Sequence, residues 1–283
     1  MKNLKGKVAV ITGGGSGLGR ELALVCAARG MHLVLGDVDE PGMQETQRLV
    51  EEAVPGTRSV SMKLDVSKLA EVQALAKLAA DTFGGAHLVF NNAGVSSGGP
   101  LWECTEADWV WVTGVNMYGV AWGIKAFVPM MIEQDEGDVV NTASAAGWVN
   151  SPGGGIYNAG KHAVVAISET LALDLRDVQA NVGVSVLCPA FFPTAIVDAE
   201  RNRPAELADT APMSETRKRR EEMVRHAVSH GRLSAAEIAE MTVKAVEDEQ
   251  FYIFPHKKIK QLIKARAEAA DQEKEPFDTM AGR

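Results

Sequence analysis

The chain has 283 residues, of which 46% are hydrophobic and 23% charged, and this length and composition fit one α/β domain. Its formal net charge of −8 argues against nucleic acid or an anionic membrane as the main partner. Three widely spaced cysteines, Cys26, Cys104 and Cys188, suggest neither a disulfide framework nor a structural zinc site, and they indicate a reducing compartment. The first apolar run is too short for a secretion signal, and no other stretch approaches a membrane span, so we expect a cytoplasmic protein.

The first predicted strand, Val8 to Ile11, leads into the glycine-rich turn TGGGSGLG at 12–19, then Arg20, and then a helix over 21–29. A strand, a glycine turn and a helix in this order are typical of a nucleotide site, because glycines let the main chain approach a diphosphate. The N–H groups at the helix start then attract the anion. A flexible turn is the alternative reading. A Walker loop is excluded because no Gly-Lys-Ser/Thr follows.

The second predicted strand, over 32–36, ends at Asp37, about 20 residues after the glycine turn. In a dinucleotide fold this carboxylate accepts hydrogen bonds from the adenosine ribose and repels a 2′-phosphate, which favours NAD over NADP. The alternative is that Asp37 caps the following helix. Arg20, just past the glycine turn, leaves the choice of cofactor open.

Strands then alternate with helices of ten or more residues, which predicts a parallel sheet covered on both faces. Asp65, Asn91 and Ser144 each follow such a strand. Ligands of parallel sheets bind beyond the carboxyl ends of the strands, so we expect these residues to share one edge with the glycine turn.

The stretch from Ser144 to Lys161 carries groups suited to proton transfer. Tyr157 and Lys161 are four residues apart at the start of an apolar helical run and share one helix face. A nearby ammonium favours the phenolate, so we expect Lys161 to lower the Tyr157 pKa from its usual value of about 10. Ser144 is placed to hydrogen-bond a substrate oxygen. Taken alone, a Tyr and a Lys at this spacing occur by chance in many proteins.

Together, TGGGSGLG, Asp37, Asp65-Val66, the NNAG segment at 91–94, Asn116, Ser144, Tyr157-x-x-x-Lys161 and Cys188-Pro189-Ala190 resemble the short-chain dehydrogenase/reductase family, over about residues 7–194. The resemblance implies a Rossmann-like, doubly wound parallel sheet of about seven strands, with helices on both faces, in a single catalytic domain spanning 1–270. Asn116, Ser144, Tyr157 and Lys161 are the implied catalytic residues. The implied cofactor-binding residues are Gly13, Ser16, Gly17, Leu18, Gly19, Asp37, Asp65, Val66, Asn92, Ala93, Gly94, Tyr157, Lys161, Pro189 and Thr194.

The activity implied is NAD-dependent interconversion of a secondary alcohol and a ketone, with Tyr157 as the acid and base and NADP as the less favoured cofactor. Asn116 is implied to anchor a water that relays the proton. The alternative for Asn116 is a helix-kinking side chain that is bonded to backbone. Two other functions stay open: a nucleotide-sugar epimerase or dehydratase, and a non-catalytic dinucleotide-binding regulator.

A substrate lid is expected over about 192–232, with Trp148, Val149, Gly153 to Gly155, Phe191 and Phe192 also facing the substrate. Trp102 and Trp148 indicate an apolar or aromatic substrate, and core packing is expected for Trp109, Trp111 and Trp122. The run Arg217-Lys218-Arg219-Arg220 is interpreted as a solvated helix face, with an anionic-ligand site as the alternative. His226 and His230 are four apart, but no metal site is predicted.

A helix is predicted over 256–270, followed by a polar, frayed tail at 271–283. The long apolar helices predicted over 107–131 and 157–175 exceed what one sheet face needs. Together with the family resemblance, they indicate a homodimer or homotetramer.

Overall fold

The computed structural model describes residues 3–208 and 213–279, which contain one seven-stranded, wholly parallel sheet. The strand order is β3-β2-β1-β4-β5-β6-β7. This confirms the predicted Rossmann-like, doubly wound single domain. The order reverses direction next to β1, and this is the point at which such sheets bind ligands beyond the strand ends. The strands are β1 Val8–Thr12, β2 His32–Asp37, β3 Ser59–Lys63, β4 Leu88–Asn91, β5 Gly137–Thr142, β6 Val182–Leu187 and β7 Tyr252–Ile253.

Helices cover both faces of this sheet. The α-helices of the described residues are α1 Gly17–Ala28, α2 Glu40–Ala53, α3 Leu69–Phe83, α4 Glu106–Thr113, α5 Gly119–Glu133, α6 Gly155–Asp177, α7 Glu215–Ser229, α8 Ala235–Glu247 and α9 Ile259–Asp271. A π-helical turn, Gly114–Tyr118, joins α4 to α5. Short 3₁₀ helices occupy Leu101–Glu103, Ala145–Gly147, Ala195–Asn202 and Ala205–Leu207.

The two largest hydrophobic clusters, one on each face of the sheet, follow from the alternation of side chains along β1. Ala9 and Ile11 point to one face and pack in a cluster with Leu22 of α1. Val8 and Val10 point to the other face and join a cluster that includes Phe127 of α5. Successive strand residues face opposite sides, so a strand buried on both faces is a continuous apolar run, as VAVI is here.

The helical stretch Glu106–Glu133 is long and apolar enough to cross a membrane by length and composition. The expectation that no stretch approaches a membrane span is therefore wrong by that criterion. A helix packed on a buried sheet meets the same criterion, and Phe127, Val128 and Met131 of this stretch are buried in the core.

The described residues of the predicted lid, 192–208 and 213–232, are mainly helical, and the two ends of the lid meet. Gly231, after α7, packs so closely on Phe192 that a Cβ there would clash with the Phe192 backbone. The C-terminal tail is not frayed throughout, because the Thr279 hydroxyl donates to the Asn150 carbonyl at 3.0 Å. Residues 1–2 of the predicted domain, 209–212 of the predicted lid and 280–283 of the predicted tail lie outside the described residues.

Candidate active site

The turn between β1 and α1 is shaped for close approach by a ligand. Gly13 and Gly17 have φ angles of +69° and +51°, a region that glycine adopts without strain. A Cβ on Gly19 would clash with the Gly13 carbonyl oxygen, so α1 packs directly on the turn. The side chain of Ser16, the N-cap residue of α1, makes no cap hydrogen bond. A helix N-terminus of this kind is suited to binding a phosphate.

Thr12 ties this turn to the loop that follows β4. Its hydroxyl oxygen accepts hydrogen bonds from the Asn92 and Ala93 N–H groups, at 3.0 and 3.1 Å. The same hydroxyl donates to the Phe90 carbonyl at 3.2 Å. The Asn92 amide in turn donates to the Thr12 carbonyl at 3.0 Å. Sequence analysis did not single out Thr12, although a hydroxyl at the end of a buried strand is a usable signal.

Asp37 closes the far end of the glycine turn. Its two carboxylate oxygens accept hydrogen bonds from the Gly15 N–H at 2.9 Å and the Asp39 N–H at 3.0 Å. Burial raises the pKa of Asp37, and these backbone N–H groups partly offset that effect. The helix cap considered for Asp37 is made instead by Asp39, which accepts from the Gly42 N–H at 3.0 Å. Asp37 therefore lines the site rather than capping α2.

The Arg20 guanidinium is held beneath the turn. It donates to the Gly15 carbonyl at 2.6 Å, to the Thr46 hydroxyl at 3.1 Å and to the Gly42 carbonyl at 3.3 Å. Arg20 is absent from the lining of the adjoining cavity. Its role in the structure is to brace the glycine turn against α2, a role that its position in the sequence did not reveal.

One cavity of about 1080 Å³ runs along the carboxyl edge of the sheet, at the upper end of the volume range for small-molecule sites. Thr194 faces the glycine turn, since a Cβ on Gly17 would lie 3.7 Å from the Thr194 Cβ. The cavity brings together all the predicted site residues except Asn116. Its lining includes Gly13, Ser16, Gly17, Leu18, Gly19, Asp37, Asp65, Val66, Asn92, Ala93, Gly94, Ser144, Tyr157, Lys161, Pro189 and Thr194.

Ser144, Tyr157 and Lys161 converge at the middle of this cavity. Ser144 follows β5, and its hydroxyl oxygen accepts from the Ala146 N–H at 3.1 Å. Tyr157 and Lys161 lie one helical turn apart near the start of α6, with the Lys161 Nζ 5.7 Å from the Tyr157 ring centroid. Lys161 is almost fully buried, and burial lowers its pKa to about 8.

The pKa of Tyr157 departs from the sequence expectation. Burial raises it above the ordinary tyrosine value, and the effect that opposes burial is a hydrogen bond with Ser144. The predicted lowering by Lys161 is wrong for this arrangement, because the Lys161 ammonium donates to the Thr142 carbonyl at 2.6 Å instead. A hydroxyl, a phenol and an ammonium thus line the same part of the cavity.

Asn116 lies behind the cavity wall, in the π-helical turn. Its fully buried side chain accepts from the Val95 N–H at 2.9 Å and donates to the Val95 carbonyl at 2.8 Å. This agrees with the alternative for Asn116 in that its side chain is bonded to backbone, here the backbone of the loop after β4. π-Helical turns occur frequently at functional sites. The water relay implied for Asn116 stays a prediction.

The described residues of the segment 192–232, which we call the covering segment, line the cavity over part of its wall. The covering segment contributes Ile196, Val197, Met223, Val224 and Val228 to the lining, which also includes Val149, Gly153, Gly154, Phe191 and Phe192 as predicted. Gly155 is outside the lining, because its main chain packs against Leu101.

The tryptophans are placed differently from the prediction. Trp102 is 87% exposed, and Trp148 packs against Phe254 and Tyr252, so neither lines the cavity. Trp109, expected in the core, is 41% exposed and does line the cavity, as does the buried Trp111. An alternating apolar pattern does not distinguish the core from a cavity wall, which is also apolar.

Arg217 departs from the predicted solvated face. Its guanidinium donates to the Ser97 hydroxyl at 3.2 Å and lies 3.5 Å from the carboxylate of Asp108, which is fully buried in α4. Arg203 donates to the same carboxylate at 2.9 Å. Burial alone would raise the Asp108 pKa, but the Thr105 N–H and the two arginines outweigh it and the pKa is lowered. Two arginines of the covering segment thus form ion pairs with one buried carboxylate, that of Asp108.

His226 and His230 stack on each other with ring centroids 4.1 Å apart. Within residues 3–208 and 213–279, no three His, Cys, Asp or Glu side chains are grouped to hold a metal ion.

Comparison with known proteins agrees with this geometry. The family model described as short chain dehydrogenase matches residues 7–205. A short chain dehydrogenase/reductase from Burkholderia phymatum, solved in complex with NAD, superimposes with a TM-score of 0.97 at 46% identity, covering 99% of this chain and 100% of that one. A CLA biosynthesis dehydrogenase/reductase of Lactiplantibacillus plantarum is 34% identical, covering 94% of this chain and 93% of the relative. The C alpha-dehydrogenase of a Sphingobium species is 30% identical, covering 99% and 90%.

Proposed function

The chain belongs to the short-chain dehydrogenase family, and from this premise we propose that it interconverts a secondary alcohol and a ketone, with NAD as the preferred cofactor. The observation that carries the proposal is the convergence of Ser144, Tyr157 and Lys161 on a cavity that the glycine turn also lines. A nicotinamide cofactor, when bound, exchanges the hydride with the substrate carbon. The protein supplies orientation and proton transfer.

The residues present fit a dinucleotide. A Cβ at Gly13 would lie 2.9 Å from the Ala93 Cα, so the turn and the loop after β4 form a narrow cradle that tolerates no side chain there. The N-terminus of α1 opens into the same space and suits the diphosphate. Asp37 would hold the adenosine ribose, and Asp65 and Val66 the adenine.

Each side chain at the centre of the site has its own role in proton transfer. Tyr157 takes the proton from an alcohol oxygen in oxidation and returns it to the ketone oxygen in reduction. The Ser144 hydroxyl holds that oxygen in place. Lys161, fixed through the Thr142 carbonyl, keeps a buried cation one helical turn from the phenol.

Preference for NAD is supported by charge. The Asp37 carboxylate faces the cavity and repels a 2′-phosphate, while the nearby Arg20 guanidinium is already hydrogen-bonded to main-chain carbonyls. The Burkholderia phymatum structure contains NAD, which is consistent with this choice. The apolar wall formed by Val149, Phe191 and Phe192 supports an apolar or aromatic substrate.

The test is the absorbance of reduced nicotinamide with a panel of secondary alcohols and ketones, using NAD and NADP separately. Tyr157→Phe should abolish turnover and leave cofactor binding nearly intact, whereas Tyr118→Phe, another phenol lining the same cavity, should keep activity. Substantial turnover by Tyr157→Phe would reject Tyr157 as the base. A cofactor that binds without any turnover would favour the non-catalytic regulator, and a nucleotide-sugar product would favour the epimerase.

The proposal extends to a cytoplasmic homodimer or homotetramer. Large apolar side chains are exposed on the helical stretch Glu106–Glu133 and on α6, including Val110 (53%) and Leu173 (57%). Burying such a face between copies is a common reason for its composition. Light scattering during gel filtration tests the oligomer, and cell fractionation tests the location.

A further inference from the structure

Arg220, in helix α7 of the covering segment, lines the cavity. It is three residues after Arg217 in α7, so the two side chains lie on one face of the helix. That face rests on Gly99 and Gly153, whose backbones are paired by a hydrogen bond of 2.9 Å from the Gly99 N–H to the Gly153 carbonyl. Arg217 passes Gly99 toward Asp108, whereas Arg220 passes Gly153 and lines the cavity.

The stem of Arg220 is held closely. A Cβ on Gly153 would lie 3.2 Å from the Arg220 Cγ and 3.3 Å from its Cδ. Gly153 has a φ of +82°, which other residues rarely adopt, so this close approach depends on glycine. A stem packed in this way loses less conformational freedom when its guanidinium binds a ligand.

The charge of Arg220 is not used by the fold. Within residues 3–208 and 213–279, Arg220 makes no hydrogen bond or ion pair. Two other basic residues of α7 are paired: Lys218 lies 2.8 Å from Glu215, and Arg225 lies 2.7 Å from Asp198. A half-buried guanidinium without a carboxylate partner is a ready donor for an anion, because its planar fork matches a carboxylate.

Carboxylates also line this part of the cavity, and their positions leave Arg220 available. Glu200 is 3.2 Å from Arg203, and Glu221 is 3.6 Å from Arg217. Glu206 is exposed.

Resting on the proposed function, we infer that Arg220 binds a carboxylate of the substrate, so that the enzyme acts on secondary alcohols or ketones that carry this group. Gly153, beneath the Arg220 stem, is four residues before Tyr157, a separation that the chain can span by at most about 14 Å. Because Arg220 and Tyr157 line the same cavity, we assign the carboxylate and the reacting carbon to one molecule. The apolar wall contacts the part between them.

The experiment uses the full-length protein and a series of aliphatic and aromatic secondary hydroxy acids of increasing spacing, each paired with its methyl ester. 4-(1-Hydroxyethyl)benzoate and its methyl ester are one such pair. Wild type should favour the best carboxylate over its ester by at least roughly tenfold in kcat/KM, the gain expected of a partly exposed charge-assisted hydrogen bond. Arg220→Gln should lose that preference mainly through KM, with turnover of the ester within about twofold of wild type.

Arg219→Gln is the matched control, because Arg219 is an exposed neighbour outside the cavity lining, and it should keep the preference for the carboxylate. A preference that survives in Arg220→Gln, or no preference in wild type, would overturn the inference.

A second measurement separates this inference from the proposed function. If no member of the series is turned over, calorimetric titration of the same carboxylates into wild type and Arg220→Gln decides the matter. Weaker binding by Arg220→Gln supports the anion site even though the proposed reaction has failed for these compounds. Equal affinity of the two proteins rejects the anion site. Tyr157→Phe should bind the carboxylates as wild type does, since Arg220 and not Tyr157 is assigned that contact.

Discussion

The Lys161 ammonium donates a 2.6 Å hydrogen bond to the carbonyl oxygen of Thr142, the last residue of β5. This bond fixes α6 to the sheet and holds a buried cation next to Tyr157. Burying that cation is costly, which is why the pKa of Lys161 falls from its ordinary value of 10.5 to about 8.

The first prediction concerns stability against pH. Between about pH 8 and pH 10.5 the unfolded chain keeps the Lys161 proton and the folded chain releases it, so the free energy of unfolding rises with pH across this window. Below about pH 8 the group is charged in both states and its full burial cost remains. Wild type should therefore gain up to about 3 kcal/mol relative to Lys161→Met between pH 8 and 10.5. Urea unfolding of both proteins at several pH values measures this gain, and parallel curves would contradict it.

The second prediction concerns the base. Burial raises the pKa of Tyr157 and the hydrogen bond with Ser144 lowers it, so Ser144→Ala should raise that pKa further. The rise of kcat/KM with pH in alcohol oxidation should then shift to higher pH, together with a loss of activity of about a hundredfold. Ser96→Ala removes a hydroxyl from the same cavity and should leave the pH profile in place. An unshifted profile in Ser144→Ala would show that Ser144 does not tune the phenol.

The third prediction concerns the cofactor. Asp37→Asn keeps an oxygen that accepts from the Gly15 or Asp39 N–H, but it removes the charge that repels a 2′-phosphate. The ratio of kcat/KM for NADP to that for NAD should rise by roughly tenfold or more. Asp39→Asn is the control, because Asp39 caps α2 and does not line the cavity. If both variants leave the ratio unchanged, the ribose contact assigned to Asp37 is wrong.

The features that were predicted correctly from the sequence are those that depend on short stretches of chain. A buried strand, a glycine turn and an uncapped helix start follow one another within residues 8–28, and parallel sheets bring such strand ends to a common edge. Tyr157 and Lys161 are one helical turn apart, so helix geometry alone places them together. Each of these features depends on short stretches of chain, and the structure contains them where they were expected.

Features that depend on distant partners were predicted less well. Arg217 is in a basic run typical of a solvated helix, but its partner Asp108 is 109 residues away in sequence and only the fold brings them together. Trp148 is adjacent to residues of the cavity, yet its ring packs toward Phe254 beyond β7. The pKa of Tyr157 depends mainly on how deeply the fold buries the phenol, and the spacing of residues in the sequence does not show this.

The last prediction concerns the buried ion pairs that hold the covering segment to α4. Asp108→Asn keeps an oxygen for the Thr105 cap but leaves the buried Arg203 and Arg217 without their shared anion. Removing one partner of a buried ion pair costs about 3–5 kcal/mol, and we expect that loss of unfolding free energy at neutral pH. The lowered pKa of Asp108 means that its contribution is complete above the ordinary aspartate value and is lost as the pH falls through the folded value.

Wild type and Asp108→Asn should therefore converge in stability as the solution becomes strongly acidic, and urea unfolding at a series of pH values measures this. Asp198→Asn breaks the exposed pair with Arg225, whose N–O distance is 2.7 Å, and should cost no more than about 1 kcal/mol. Equal losses for the two variants at neutral pH would show that the buried network is no stronger than a surface ion pair. The covering segment would then depend on its apolar contacts with the cavity wall.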